Sequence, residues 1–189
     1  MTRRTGLAIA AAFSLIAGCA QANGQETGGA KEPMRAHAVI KGEGISGTAE
    51  FVEMTEGTGK EVVVTLSVKG LKPGLHGVHL HAVGKCEPDF LAAGGHFDPG
   101  PAGNPDPDVN HPFHMGDLPN VQVGNDGTGT LKARTTRVTL SAGPLTVFDE
   151  DGTAIIVHGN PDQGISGPAK SGVSGGPRVA CGVLQKGAR

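Results

Sequence analysis

Glycine and proline fill about a quarter of this 189-residue chain, with 32 Gly and 13 Pro. Ordinary usage puts the two together at roughly 12%. Both residues oppose helices: glycine through the backbone entropy it loses, proline through its missing N–H and ring clash. A helical bundle or a coiled coil is therefore excluded. Disorder, the other outcome of such a composition, is opposed by 37% hydrophobic residues arranged in alternating runs. Period-two segments fall at 36–41, 47–54, 61–69, 77–81, 121–123, 129–134, 138–140, 154–157 and 179–184, punctuated by Gly, Pro, Asn and Asp. Val62-Val63-Val64 and Ile155-Ile156-Val157 are β-branched runs suited to buried strands. The expectation is an all-β, antiparallel barrel or sandwich with Greek-key connections. Two stretches, 84–120 and 159–178, are too long for plain connections and are expected to be functional loops.

The N-terminus has its own character. Arg3 and Arg4 precede an apolar run over 6–18 that ends in Leu15-Ile16-Ala17-Gly18-Cys19. A basic start and a short apolar stretch read as a secretory signal, too short to span a bilayer. Its end resembles a bacterial lipobox, which implies that residues 1–18 are removed and that Cys19 is lipidated as the mature N-terminus. Residues 19–35 are small and polar and suit a flexible tether, leaving 36–189 as the folded domain. The expected location is the cell envelope on the periplasmic side, with the lipid holding the protein to a membrane. Without Cys19, only Cys86 and Cys181 remain, and an even pair in an exported chain is expected to form a disulfide.

Composition also narrows the partners. Six Phe are the only aromatics, with no Trp or Tyr, and the formal charge is −2. Neither a stacking platform nor a basic footprint for nucleic acid is present. The eight histidines are the distinctive feature. His79 and His81 stand two apart on one predicted strand, so both imidazoles face the same side. His158 closes another strand, and His96 sits in the first long loop. Four imidazoles suit a transition metal of the copper or zinc kind. In the same loop His111, His114 and Asp117 offer a second set, a tetrahedral zinc site once a fourth ligand is found.

The motifs Gly77-Val78-His79-Leu80-His81, Gly94-Gly95-His96-Phe97-Asp98-Pro99, His114-Met115-Gly116-Asp117-Leu118-Pro119-Asn120, Ile155-Ile156-Val157-His158 and Arg178-Val179-Ala180-Cys181-Gly182-Val183 occur in this order. Together they resemble the copper/zinc superoxide dismutase family over roughly residues 36–185. The resemblance implies an eight-stranded Greek-key barrel and dismutation of superoxide to oxygen and hydrogen peroxide by alternate reduction and oxidation of a bound copper ion. It implies copper on His79, His81, His96 and His158, with His96 also on zinc beside His114 and Asp117. Arg178 matches the arginine beside copper, Asp162 the carboxylate connecting the two metal sites, and Cys86 with Cys181 the family's disulfide. The implied role is protection of the cell envelope, and since relatives differ in assembly, both a monomer and a homodimer agree with it.

One position departs from the pattern. The family places a further zinc histidine about eight residues after the bridging one, where this chain has Asn104. His111 is the nearest replacement, and a weak or absent zinc site is the other outcome. His37 and His76 match no ligand position and are expected on the surface or in strands.

The N-terminal reading has a direct check. Cys19→Ser is expected to release the protein from the membrane fraction with dismutase activity kept. Intact-mass analysis that finds an unmodified Cys19 would remove the anchor.

Overall fold

In the computed structural model the described residues are 1–2, 32–57, 59–100 and 106–187. The chain divides into two units, Met1–Lys31 and Glu32–Arg189, and the second holds the fold. Residues 3–18 of the signal segment, Cys19, most of the tether and Asn104 lie outside the described residues.

Among the described residues nine strands form one antiparallel sheet: β1 (Met34–Gly42), β2 (Ile45–Glu56), β3 (Gly59–Lys69), β4 (Gly74–His81), β5 (Asp117–Val123), β6 (Thr128–Thr135), β7 (Ala154–His158), β8 (Arg178–Val183) and β9 (Gln185–Lys186). Their order is β2-β3-β6-β5-β4-β7-β8-β1, and the β1–β2 pairing closes the circle. The pairs Lys41↔Cys181, His37↔Gln185 and Ala36↔Lys186 keep a single register. Strand β9 is thus β8 resumed after a break at Leu184, and the barrel has eight strands, as expected. The connections β3→β4 and β6→β7 each skip over two strands, which makes the Greek key. Closure leaves no open sheet edge, so long loops can leave the barrel without exposing unpaired backbone.

Alternation decides what lies inside. On β3, Val62, Val64, Leu66 and Val68 point into a core shared with Ile40, Phe51, Val78, Leu80, Leu131, Ile155 and Val157. The opposite face of β7 and β8 carries Ala154, Ile156 and Cys181, which form a separate small cluster with Ala93. Cys86 is bonded to Cys181 and packs there with Phe90, so the disulfide ties the first long loop to β8. The only helix among the described residues is a 3₁₀ turn, Phe90–Ala93, capped by the Asp89 side chain.

Two expectations are corrected. Segment 138–140 is not a strand. Val138 and Leu140 are buried, but the chain here crosses the barrel end, with a single bridge at Thr139↔Thr146. Thr139 N donates to Leu145 O at 2.8 Å, and Leu140 N and Ser141 N donate to Glu53 Oε2 at 2.6 and 2.9 Å. Glu53 shares the inward face of Ala49 and Phe51, so an inward carboxylate caps the barrel end. The second correction concerns residues 117–120, read as loop. They open β5 and pair with β4 as His79↔Asp117 and Val78↔Leu118.

Glu53→Ala leaves the buried Leu140 N–H without its acceptor. The expected cost is about 1–3 kcal/mol, measured by urea unfolding beside the wild type.

Candidate metal centre

The site is built on the outer face of β4 and β7. Val78 and Leu80 point into the core, so His79 and His81 point outward, beneath the long loops, and both are fully buried. His158 ends β7, next to a register shift that follows Val157. Three bonds lace the ligand-bearing segments together. Phe97 N donates to Leu80 O (2.8 Å), Gly116 N to Phe97 O (2.8 Å) and Leu80 N to Gly116 O (2.9 Å). A side chain at Gly116 would place its Cβ 2.4 Å from the Leu80 carbonyl oxygen, so only glycine permits this approach.

Four imidazoles converge as a first group. One nitrogen of each, from His79, His81, His96 and His158, lies within 4.8 Å of the other three. His79 Nδ1, His81 Nε2, His96 Nε2 and His158 Nε2 are buried without any hydrogen-bond partner. The opposite nitrogens are all committed. His79 Nε2 donates to Asp162 Oδ2 (3.0 Å), His81 Nδ1 to Gly94 O (3.0 Å), His96 Nδ1 to Asp117 Oδ1 (2.7 Å) and His158 Nδ1 to Gly176 O (3.1 Å). Four buried lone pairs aimed at one another would be costly without a cation between them. Burial, reinforced by the neighbouring rings, pushes His79 and His96 down to about 4 and His158 to about 3, and His81 well below its ordinary value. Neutral rings with free lone pairs are what a metal requires.

The second group surrounds Asp117. Its Oδ1 accepts a hydrogen bond from His96 Nδ1, while Oδ2 lies 3.3 Å from both His111 Nδ1 and His114 Nδ1. Three Nδ1 atoms and a carboxylate thus face one small volume. Ligand atoms of His79, His96, His111 and Asp117 also fall within 4.8 Å of one another, because the two groups share a wall. Asp162 spans that wall: Oδ2 meets His79 Nε2 and Oδ1 meets His111 Nε2 at 2.7 Å. On the outer side Arg137 Nη1 donates to the carbonyls of Pro112 and His114. Arg178 donates from Nη1 to Phe90 O (2.7 Å) and from Nη2 to Gly94 O (2.6 Å), the carbonyl that also orients His81.

The residues expected at the two metal sites, His79, His81, His96, His111, His114, Asp117, His158 and Asp162, lie together, with Arg178 bonded to the carbonyl that orients His81. Two residues to which the sequence assigns no part in the site, His76 and Asn120, join them. His76, expected on the surface or in a strand, is a strand residue 96% buried, with Nδ1 2.8 Å from the His158 carbonyl and Nε2 2.9 Å from that of Lys72. Its spacing of three from His79 carried no signal, because a bulge between His76 and Val78 shifts the alternation. Asn120 donates through Nδ2 to the Asp162 carbonyl and accepts from Asp162 N, a reciprocal pair that holds this carboxylate in place. No local motif announces such a contact across 42 residues. His37 lies on β1, its Nδ1 near the Gly187 carbonyl, away from the centre.

Comparison with known proteins agrees with this geometry. Residues 45–184 match the family described as copper/zinc superoxide dismutase (SODC). The chain is 42% identical over 146 residues to superoxide dismutase [Cu-Zn] 2 of Brassica juncea, covering 75% of this chain and 90% of that protein. A crystal structure of the clock protein EA4 superposes with a TM-score of 0.64 at 31% identity, covering 82% of this chain and 96% of that one. The chain belongs to the copper/zinc superoxide dismutase family. Its activity is that of an oxidoreductase acting on superoxide, with copper and zinc as cofactors.

The buried imidazoles set how the metal-free protein responds to acid. His79, His96 and His158 resist protonation when folded but accept it near 6.5 when unfolded, so stability falls as pH drops from 6.5 toward 3–4. His111 acts with the opposite sign. Burial opposes its charge, but the hydrogen bonds to Asp117 and Asp162 outweigh this and raise it to about 9. Its contribution is complete below 6.5 and lost as pH rises through about 9. Melting temperatures of the metal-free protein across pH 4–9 are expected to peak near neutrality, with the acid side the steeper.

Proposed function

We propose that His79, His81, His96 and His158 hold copper, that His96, His111, His114 and Asp117 hold zinc, and that His96 stands between the two through its two ring nitrogens. The observation that carries this reading is the set of four unpartnered, buried nitrogens facing one point. Bound there, copper supplies reversible one-electron transfer, while zinc contributes charge and order without redox chemistry. Two superoxide ions and two protons become oxygen and hydrogen peroxide. His96 Nε2 faces the copper group and is the atom placed to take up a proton and return it, while Nδ1 keeps the ring on the Asp117 side. Arg178 uses one donor of each terminal nitrogen on a carbonyl, and its remaining N–H groups present a fixed cation to the small anionic substrate. Asp162 fixes the tautomer of His79 so that its Nδ1 keeps a lone pair for a metal, and holds the His111 ring through Nε2 so that Nδ1, once it gives up its proton, can do the same.

The departure at Asn104 is absorbed by His111. His111 and His79 contact Asp162 in matched fashion, each through Nε2 on its own carboxylate oxygen. The family's usual ligand is thereby replaced from a later point in the same loop.

The N-terminal segment extends the reading to location. The basic and apolar start, the lipobox-like ending at Cys19 and the tether before residue 36 support an exported protein held by lipid on the periplasmic face of a membrane, where it would protect the envelope. The Cys86–Cys181 disulfide suits such a compartment.

His111→Ala is expected to lose most of its zinc and keep most of its copper, since His79, His81 and His158 lie outside that loop. Asn104→Ala should change neither. Elemental analysis of the purified variants decides it, and unchanged zinc in His111→Ala would sink the ligand assignment.

A further inference from the structure

We propose that Asp108 is a positioning residue that couples the loop carrying His111 and His114 to the segment that orients His158 and Arg178. Asp108 is only 3% exposed, although it lies in a loop. Its Oδ1 accepts from Ser174 N (3.0 Å) and Ser174 Oγ (2.7 Å), and Oδ2 accepts from Gly172 N (2.7 Å). Its own carbonyl accepts from Gly167 N at 2.9 Å. Three residues further on, the His111 carbonyl accepts from Ser166 Oγ at 2.7 Å. The two long loops are therefore joined through one buried carboxylate and two flanking bonds.

What lies beyond Ser174 gives the clamp its consequence. Ser174, 2% exposed, forms a bridge with Asp162, whose carboxylate holds His79 and His111. Gly175 follows, packed so closely that an added Cβ would sit 2.8 Å from the His158 Cβ. The carbonyl of Gly176 then accepts from His158 Nδ1, and Arg178 stands two residues later. A shift at 172–174 would be transmitted to the carbonyl that sets the His158 ring and to the start of β8. Only an ionised carboxylate can accept from three donors arranged in this way. An amide at position 108 would have to turn an NH₂ group toward a donor.

One end of this coupling rests on the zinc reading given above; the other, at His158 and Arg178, does not. Coupling is reciprocal. Zinc on the His111 side should protect the Gly172 and Ser174 amides, and loosening those amides should weaken zinc.

The test uses full-length protein with Asp108→Asn and Ser174→Ala. Zinc affinity is measured by competition with a chromophoric chelator, amide exchange at Gly172 and Ser174 with and without zinc, and the copper site by Cu(II) paramagnetic resonance. Asp108→Asn is expected to weaken zinc roughly tenfold or more, to abolish the zinc-dependent protection and to alter the Cu(II) signal. Ser174→Ala, which removes a single bond, should do the same to a smaller degree and keeps the test available if Asp108→Asn does not fold. Unchanged zinc affinity and unchanged protection in whichever variants fold would overturn the proposal, because a merely structural clamp would lower melting temperature alone. His111→Ala run in parallel separates the two readings. Unchanged zinc there removes the ligand assignment, while an altered Cu(II) signal in Asp108→Asn still supports the coupling to His158.

Discussion

Each imidazole of the first group gives one nitrogen to a protein acceptor and keeps the other bare. That division governs the rest of the site. A hydrogen bond at one nitrogen fixes the tautomer and the ring plane, so the lone pair at the other has a defined direction. The acceptors come from different places: Asp162, the Gly94 carbonyl, Asp117 and the Gly176 carbonyl. Positioning a metal therefore requires four separate segments to be held relative to one another, and much of the fold outside the core serves this purpose. Burial then keeps the rings neutral, which stabilises the metal-loaded state and exposes the empty one to acid.

The barrel supplies rigidity by using both faces of the same strands. Val78, Leu80, Ile155 and Val157 fill the interior, while His79, His81 and His158 on the other face are covered by loops. A ligand on a strand whose other face is packed in a core cannot drift without disturbing that core. The loops have no such support. They are fastened instead by the disulfide, by the Leu80–Phe97–Gly116 lacing and by carboxylates buried under them. Two negative groups, Asp117 and Asp162, are held well below the usual carboxylate range by the histidines they contact. Metal binding thus meets fixed anions as well as lone pairs.

The two halves of the site are constrained differently, and the proposed use of His111 as a ligand turns on that difference. On β4 the spacing of His79 and His81 is bound to the pleat, and moving either by one residue would turn it into the core. In the loop, a nitrogen can be delivered from any residue whose backbone can be folded back to the same point. His111 reaches Asp162 and Asp117 although it stands three residues before His114.

Alternation of apolar residues and the density of breakers determined the all-β class and eight of the strands, because pleat and turn chemistry are local. The same local rule placed His79 and His81 together, and the ordered motifs identified the residues that meet them. It failed at 138–140, where burial alternates without a strand ladder: Thr139 bonds to the 145–147 backbone and Leu140 N turns to the Glu53 carboxylate. It failed also for His76, Asn120 and Asp108, whose partners stand 4 to 82, 42 and 64 to 66 residues away. Which nitrogen each histidine commits, and which carboxylate receives it, was decided only when the barrel closed and the two loops folded over its outer face. Those contacts depend on distances between segments remote in sequence, and no pattern along one segment encodes where another will lie.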